Sequence, residues 1–241
     1  MKGKIFNAQE VQAIIAGNKT MFREVLKTCK HHPNNLCQKV RNTHYGIYLK
    51  EDGLFWQPYG GSELQPFPYC DGKLSASNSL GEFCPYQVGE PIFVKESFSK
   101  LLIHSGHQYY YPAHCIRECV DRDNGFHYWA DGNPEFGDWE SPRPATHMKQ
   151  EHSRLTLQIK NIGVERLKDI NREDCLKEGI EKMWLQENED FPRYEIGEHS
   201  YFDPKKTFEN FWNATHKKLE EKWEANPWVF VYEFEVLDLK K

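Results

Sequence analysis

Hydrophobic positions near the N terminus recur at helical spacing. Val11, Ile14 and Ile15 share one stripe, Asn7 followed three residues later by Glu10 has the form of a capping box, and Gly17 stands where a helix would stop. The pattern predicts a short helix over about residues 8–16. Lys19, Thr20, Met21, Phe22 and Arg23 follow at once, so their side chains emerge from a turn into an extended segment, where alternate residues share a face. Residues 31–84 carry Pro, Gly, Asn and Ser throughout, with one alternating patch, 44–56, that predicts a hairpin around Glu51-Asp52-Gly53. Residues 88–96 read as a turn feeding a strand, and 154–164 alternate as a second strand.

Between those strands, residues 101–148 are rich in aromatic residues, His, Gly and Pro, with short strands expected at Tyr109-Tyr110-Tyr111 and at 126–129. Asn171 caps a further helix, with Asp174 three positions on, Glu178 in the last turn and Gly179 as terminator. Residues 181–204 are acidic and irregular. Residues 207–223 show helical apolar spacing (Phe208, Phe211, Trp212, Leu219), and 227–237 form the strongest strand pattern in the chain. Few parallel crossover units fit this order. It favours an α+β protein built on a small mixed or antiparallel barrel flanked by helices, with two loop-rich insertions.

Composition narrows the picture. The 241 residues, 39% hydrophobic and 28% charged, fit a soluble globular chain, and no apolar run reaches the length of a membrane span. No membrane partner is expected, and a cytoplasmic location is the default. Seven cysteines, an odd number without a tight framework, read as free thiols. The net charge of -5 argues against coating nucleic acid by bulk attraction. Residues 1–50 nevertheless carry nine Lys or Arg against two acids, a local +7 that leaves -12 for the rest. Such a segment can make an anion-attracting face, or simply a solvated one.

Four segments together resemble a known family: Gly17-Asn18-Lys19-Thr20 after a short helix, 88–96 (VGEPIFVKE), Val164-Glu165-Arg166-Leu167 before Ile170-Asn171, and Asn226-Pro227-Trp228-Val229 leading the closing strand. They look like the ASCH family of the PUA-like superfamily, in the larger versions common in bacteriophages and prophages. The resemblance implies one PUA-like domain over 1–241, its core drawn from about 1–30, 85–100 and 150–241, with insertions at about 31–84 and 101–149. It implies a cleft that holds RNA or a modified nucleoside. Some small members remove an acyl group from acetylated cytidine, and ribonuclease activity is attributed to others. Carried over by motif, the hydrolytic Lys and Glu fall on Lys19 and Glu178. Phe22 stands where the hydrolases have Thr, and Glu24 where the turn often has Arg, so Thr20 is the hydroxyl left to serve and Arg23 the substitute cation.

Two functions follow as expectations. As a recognition protein, ranked first because of those departures, the chain would bind RNA or a modified nucleoside through Lys19 and Arg23, with Phe22, Tyr86, Trp129 or Trp139 stacking on a base. As an amidohydrolase or ribonuclease, it would use Glu178 as general base and Lys19 at the oxyanion, with Thr20 in support. Against both stands a plain ion pair between Lys19 and Glu178 that holds the first turn to the later helix. No cofactor is expected and no metal site is assigned. The clusters Cys29, His31, His32, Cys37 and His104, His107, His114, Cys115, Cys119 lack a paired C-x-x-C arrangement. Cys84 and Cys175 are expected to pack, not to react.

Overall fold

In the computed structural model the elements run β1 (Lys2–Ile5), α1 (Ala8–Ile15), β2 (Met21–Val25), β3 (Asn35–Val40), β4 (Thr43–Lys50), β5 (Gly53–Trp56), β6 (Gln65–Pro66), β7 (Pro91–Lys95), β8 (Phe98–Lys100), β9 (Phe126–Tyr128), β10 (Leu155–Arg166), α2 (Arg172–Lys177), β11 (Glu181–Met183), β12 (Arg193–Ile196), β13 (His199–Tyr201), α3 (Pro204–Thr215) and β14 (Trp228–Leu239). The structure describes residues 1–26, 84–102, 125–135, 137–184 and 191–240, and the backbone alone of β3, β4, β5 and β6. Among the described residues no helix is long and apolar enough to cross a membrane.

The framework is a mixed five-stranded sheet in the order β1-β7-β10-β14-β2, with β1 parallel to β7 and the other neighbours antiparallel. Its spine is the β10·β14 ladder of two twelve-residue strands. Ile159 opposes Phe234 and Asn161 opposes Glu233, so Lys160 is an extra residue in β10. That bulge resets the alternation: Leu155, Leu157 and Ile159 before it, and Ile162 and Val164 after it, all enter one core. Alternation also divides β14. Phe230, Tyr232 and Phe234 pack with Phe6, Val11, Ile14 and Phe22, while Val229 and Val231 pack against Phe208, Trp212, Cys175 and Ile170 on the other side. Each fully buried aliphatic side chain of this kind contributes about 1.5–3 kcal/mol.

The α+β class holds, but the sheet does not close into the expected barrel, because β1 and β2 share no ladder. Side chains span the gap instead: Lys4 pairs with Glu24, and the rings of Phe6 and Phe22 meet edge to face at 5.6 Å. The structure thus has a seam where a closed barrel has backbone hydrogen bonds.

Local signals were followed closely at the starts of α1 and α2. Asn7 and Glu10 form a reciprocal capping box on α1, and Asn171 accepts from the Asp174 N–H at the start of α2. The expected helix over 207–223 instead begins at Pro204 and ends at Thr215. Beyond it the chain folds back on the helix: the Trp212 indole donates to the Glu221 carbonyl and the Trp223 N–H donates to Asn213. Leu219, which the spacing placed on the helical stripe, is 83% exposed. The hairpin expected over 44–56 is present as β4 and β5, with Lys50 opposite Gly53, within a four-stranded sheet β3-β4-β5-β6. The strand expected at 126–129 is β9, paired with β8. The strand expected at 109–111 and the side chains of both His/Cys clusters lie outside the described residues.

Candidate ligand cavity and its buried charge cluster

The turn after α1 is built to bring residue 19 against α2. The N–H groups of Asn18 and Lys19 both donate to the Ala13 carbonyl, the Thr20 N–H donates to the Lys177 carbonyl, and Lys19 forms an isolated antiparallel bridge with Glu178. Gly179 permits this approach. Its φ is +97°, and a Cβ there would lie 3.1 Å from the Ala13 Cβ and 3.2 Å from the Lys19 Cβ. Glycine is therefore required both by backbone conformation and by space.

Lys19 and Glu178 meet directly. The Lys19 Nζ donates to the Glu178 main-chain oxygen and to its Oε2, both at 2.8 Å, with Glu10 Oε1 3.5 Å away. Arg23 lies two pleats further on the same strand face and donates from Nη1 to Glu178 Oε1 at 2.7 Å. Its Nε and Nη2 donate to Glu165 Oε1 at 2.9 and 2.7 Å, and Asp174 lies 3.5 Å from Nη2. The side chains of Lys19 and Arg23 are 0% exposed and that of Glu178 is 4% exposed. Burial draws the Arg23 guanidinium down, but Glu178 and Glu165 outweigh it and leave its pKa raised. Both cations are thus enclosed by carboxylates.

A cavity of about 570 Å³ adjoins this cluster. Glu178 and Arg23 reach its wall, and Lys19 stands behind them. The seam contributes Lys4, Phe22 and Glu24, α3 contributes Phe208, Phe211 and Trp212, and His216 follows α3 on the same wall. Lys4 is paired with Glu24, so every Lys and Arg among the described lining residues already has a carboxylate partner.

The expected site residues divide accordingly. Lys19, Arg23 and Glu178 are brought together. Thr20 is exposed and does not line the cavity; its backbone joins β14 through the Phe234 N–H. Phe22 is 2% exposed and lies on Tyr232 with ring centroids 4.8 Å apart, so it is a packed core ring that also contributes to the wall. Tyr86 packs edge-on against Phe22 and Tyr232 within the core, and burial raises its hydroxyl pKa. Trp129 donates to Ser99 and Trp139 sits against His127, both apart from the cavity lining. Cys84 and Cys175 are buried, and burial pushes both thiols up to about 12. Among the described residues no group of three or more His, Cys, Asp or Glu is arranged to hold a metal ion.

Sequence patterns had not marked the aromatic wall of α3, His216 or the Lys4–Glu24 pair. Phe208, Phe211 and Trp212 were visible as a helical stripe, but such a stripe has the same spacing whether it fills a core or faces a cavity. Compared with protein-family models, curated proteins and solved structures, the chain finds no match.

Proposed function

We propose that the chain recognises an uncharged nucleobase or nucleoside in the cavity beside Glu178. The observation that carries this reading is the pairing of an aromatic α3 wall with polar groups whose cations are already neutralised. Apolar and aromatic surface holds a flat ring, and a few fixed polar groups read its edge. The lining contains four carboxylates (Glu10, Glu24, Glu178, Glu221) against Lys4 and Arg23, an excess of negative charge that disfavours phosphate. A nucleoside therefore suits the cavity better than an RNA strand, which needs cations able to displace phosphate counterions. The convergence of the first turn and the later helix beside a mixed five-stranded sheet supports the likeness to a PUA-like, ASCH-type core.

Calorimetric titration with cytidine, N4-acetylcytidine, cytidine 5′-monophosphate and a single-stranded RNA tests it. The nucleosides are expected to bind about tenfold tighter than the monophosphate, a difference of about 1.4 kcal/mol, with little dependence on salt. Equal or tighter binding of the monophosphate overturns the reading.

A second reading, hydrolysis of an N-acyl nucleoside, is favoured by one observation: Glu178 reaches the cavity wall while Lys19 and Arg23 hold its two oxygens. Water would add to the acyl carbon and the C–N bond would break, giving the free amine and a carboxylate. Lys19, standing behind Glu178, would be a positioning residue. Release of acetate from N4-acetylcytidine by wild type, lost in Glu178→Gln, is the outcome this reading requires.

A further inference from the structure

His216 lies on the cavity wall, and its ring plane is fixed by neighbours. It is the C-cap residue of α3 and donates its main-chain N–H to the Trp212 carbonyl. Its imidazole stacks on the Trp212 indole, centroids 3.8 Å apart and planes within 13°. The indole is anchored in turn, 3% exposed and donating to the Glu221 carbonyl at 2.7 Å. His216 Nδ1 lies 3.1 Å from the Trp212 carbonyl oxygen and 3.1 Å from the Thr215 hydroxyl oxygen. A carbonyl oxygen only accepts whereas the Thr215 hydroxyl can donate or accept, so the carbonyl contact favours the tautomer with the proton on Nδ1 and a lone pair on Nε2. Among the described residues Nε2 has no hydrogen-bond partner.

The surrounding groups keep the ring neutral. Burial lowers its pKa, and Lys4 adds to this; the Trp212 carbonyl, Glu221 and Glu10 pull the other way without prevailing. A neutral imidazole held by stacking below and a carbonyl at one nitrogen is preorganised to receive a donor at the other.

We propose that His216 is the specificity-determining residue of the cavity: its Nε2 accepts a hydrogen bond from an amino or imide N–H on the edge of the bound base. The inference rests on the nucleoside reading and adds which chemical feature of the base is read. It requires a ligand with an N–H at that edge and rejects one in which alkyl groups replace it.

The test pairs a protein change with a ligand change. His216→Phe preserves a flat ring on Trp212 and removes the acceptor; N4,N4-dimethylcytidine preserves the base and removes the donor. Wild type is expected to bind cytidine about tenfold tighter than N4,N4-dimethylcytidine, and His216→Phe to bind both at the weaker level, as loss of one hydrogen bond predicts. His216→Gln, which retains an acceptor, is expected to recover part of the discrimination. If His216→Phe binds cytidine as tightly as wild type, or still discriminates tenfold, the inference is overturned while the nucleoside reading stands. If wild type binds none of cytidine, adenosine, guanosine and uridine, both fall. Nitrogen-15 NMR of the wild-type imidazole gives a check that needs no variant: the Nδ1–H form is expected, and the Nε2–H form overturns the inference.

Discussion

The ammonium of Lys19 has a main-chain oxygen and a carboxylate oxygen of one residue at 2.8 Å, and its side chain is 0% exposed. Such a charge cannot be removed singly without cost, because its partner stays buried. Lys19→Met is expected to lower unfolding stability by about 3–5 kcal/mol, measured by urea denaturation at neutral pH. Adding Glu178→Gln should cost less than the sum of the two single changes, because the partners are directly coupled. A single-variant loss below about 1 kcal/mol would instead class the pair with exposed ion pairs. Neither partner could be matched to the other from spacing, since 159 residues separate them. Family likeness placed them together, and the alternative of an ion pair joining the turn to the helix describes their contacts directly. The same likeness put a catalytic hydroxyl near Phe22, where the chain instead has a buried ring.

Among elements, the join between α1 and α2 depends on two glycines with different demands. Gly17 has φ +79° and nothing within 4 Å of a would-be Cβ, whereas Gly179 has φ +97° and two side chains within 3.2 Å. Gly17→Ala should cost about 1 kcal/mol, from backbone strain alone, and Gly179→Ala about 3 kcal/mol or more, with thermal denaturation as the measure. Equal costs would mean that the turn yields and the close approach is unnecessary. The starts of α1 and α2 were legible because capping chemistry is local: Asn7, Glu10, Asn171 and Asp174 act within three residues. The end of α3 was not legible, since the groups that fold the chain back, Asn213, Glu221 and Trp223, act by contacts that the helical period does not encode. Sheet closure was equally hidden, because it depends on whether the two edge strands meet.

For the molecule as a whole, buried titratable groups set the pH range of stability. Burial lowers the pKa values of His216 and His152 below the ordinary 6.5, so their contribution is present above that value and is lost as pH falls through the lowered ones. Cys84 and Cys175 are pushed from 9.0 up to about 12, so their contribution is present below 9.0 and is lost as pH rises through about 12. A stability plateau is expected between about pH 6.5 and 9, read from urea midpoints across pH, with the acid edge softened in His216→Phe. An acid edge unchanged in that variant would remove His216 from the account.

The seam at Lys4, Phe6, Phe22 and Glu24 carries a different implication. A barrel closed by backbone hydrogen bonds has an aperture fixed by its strand count. Here the Lys4–Glu24 pair of the seam lines the cavity, so point substitutions of that pair can recharge its wall while every ladder of the sheet stays intact. One scaffold can in this way admit different guests.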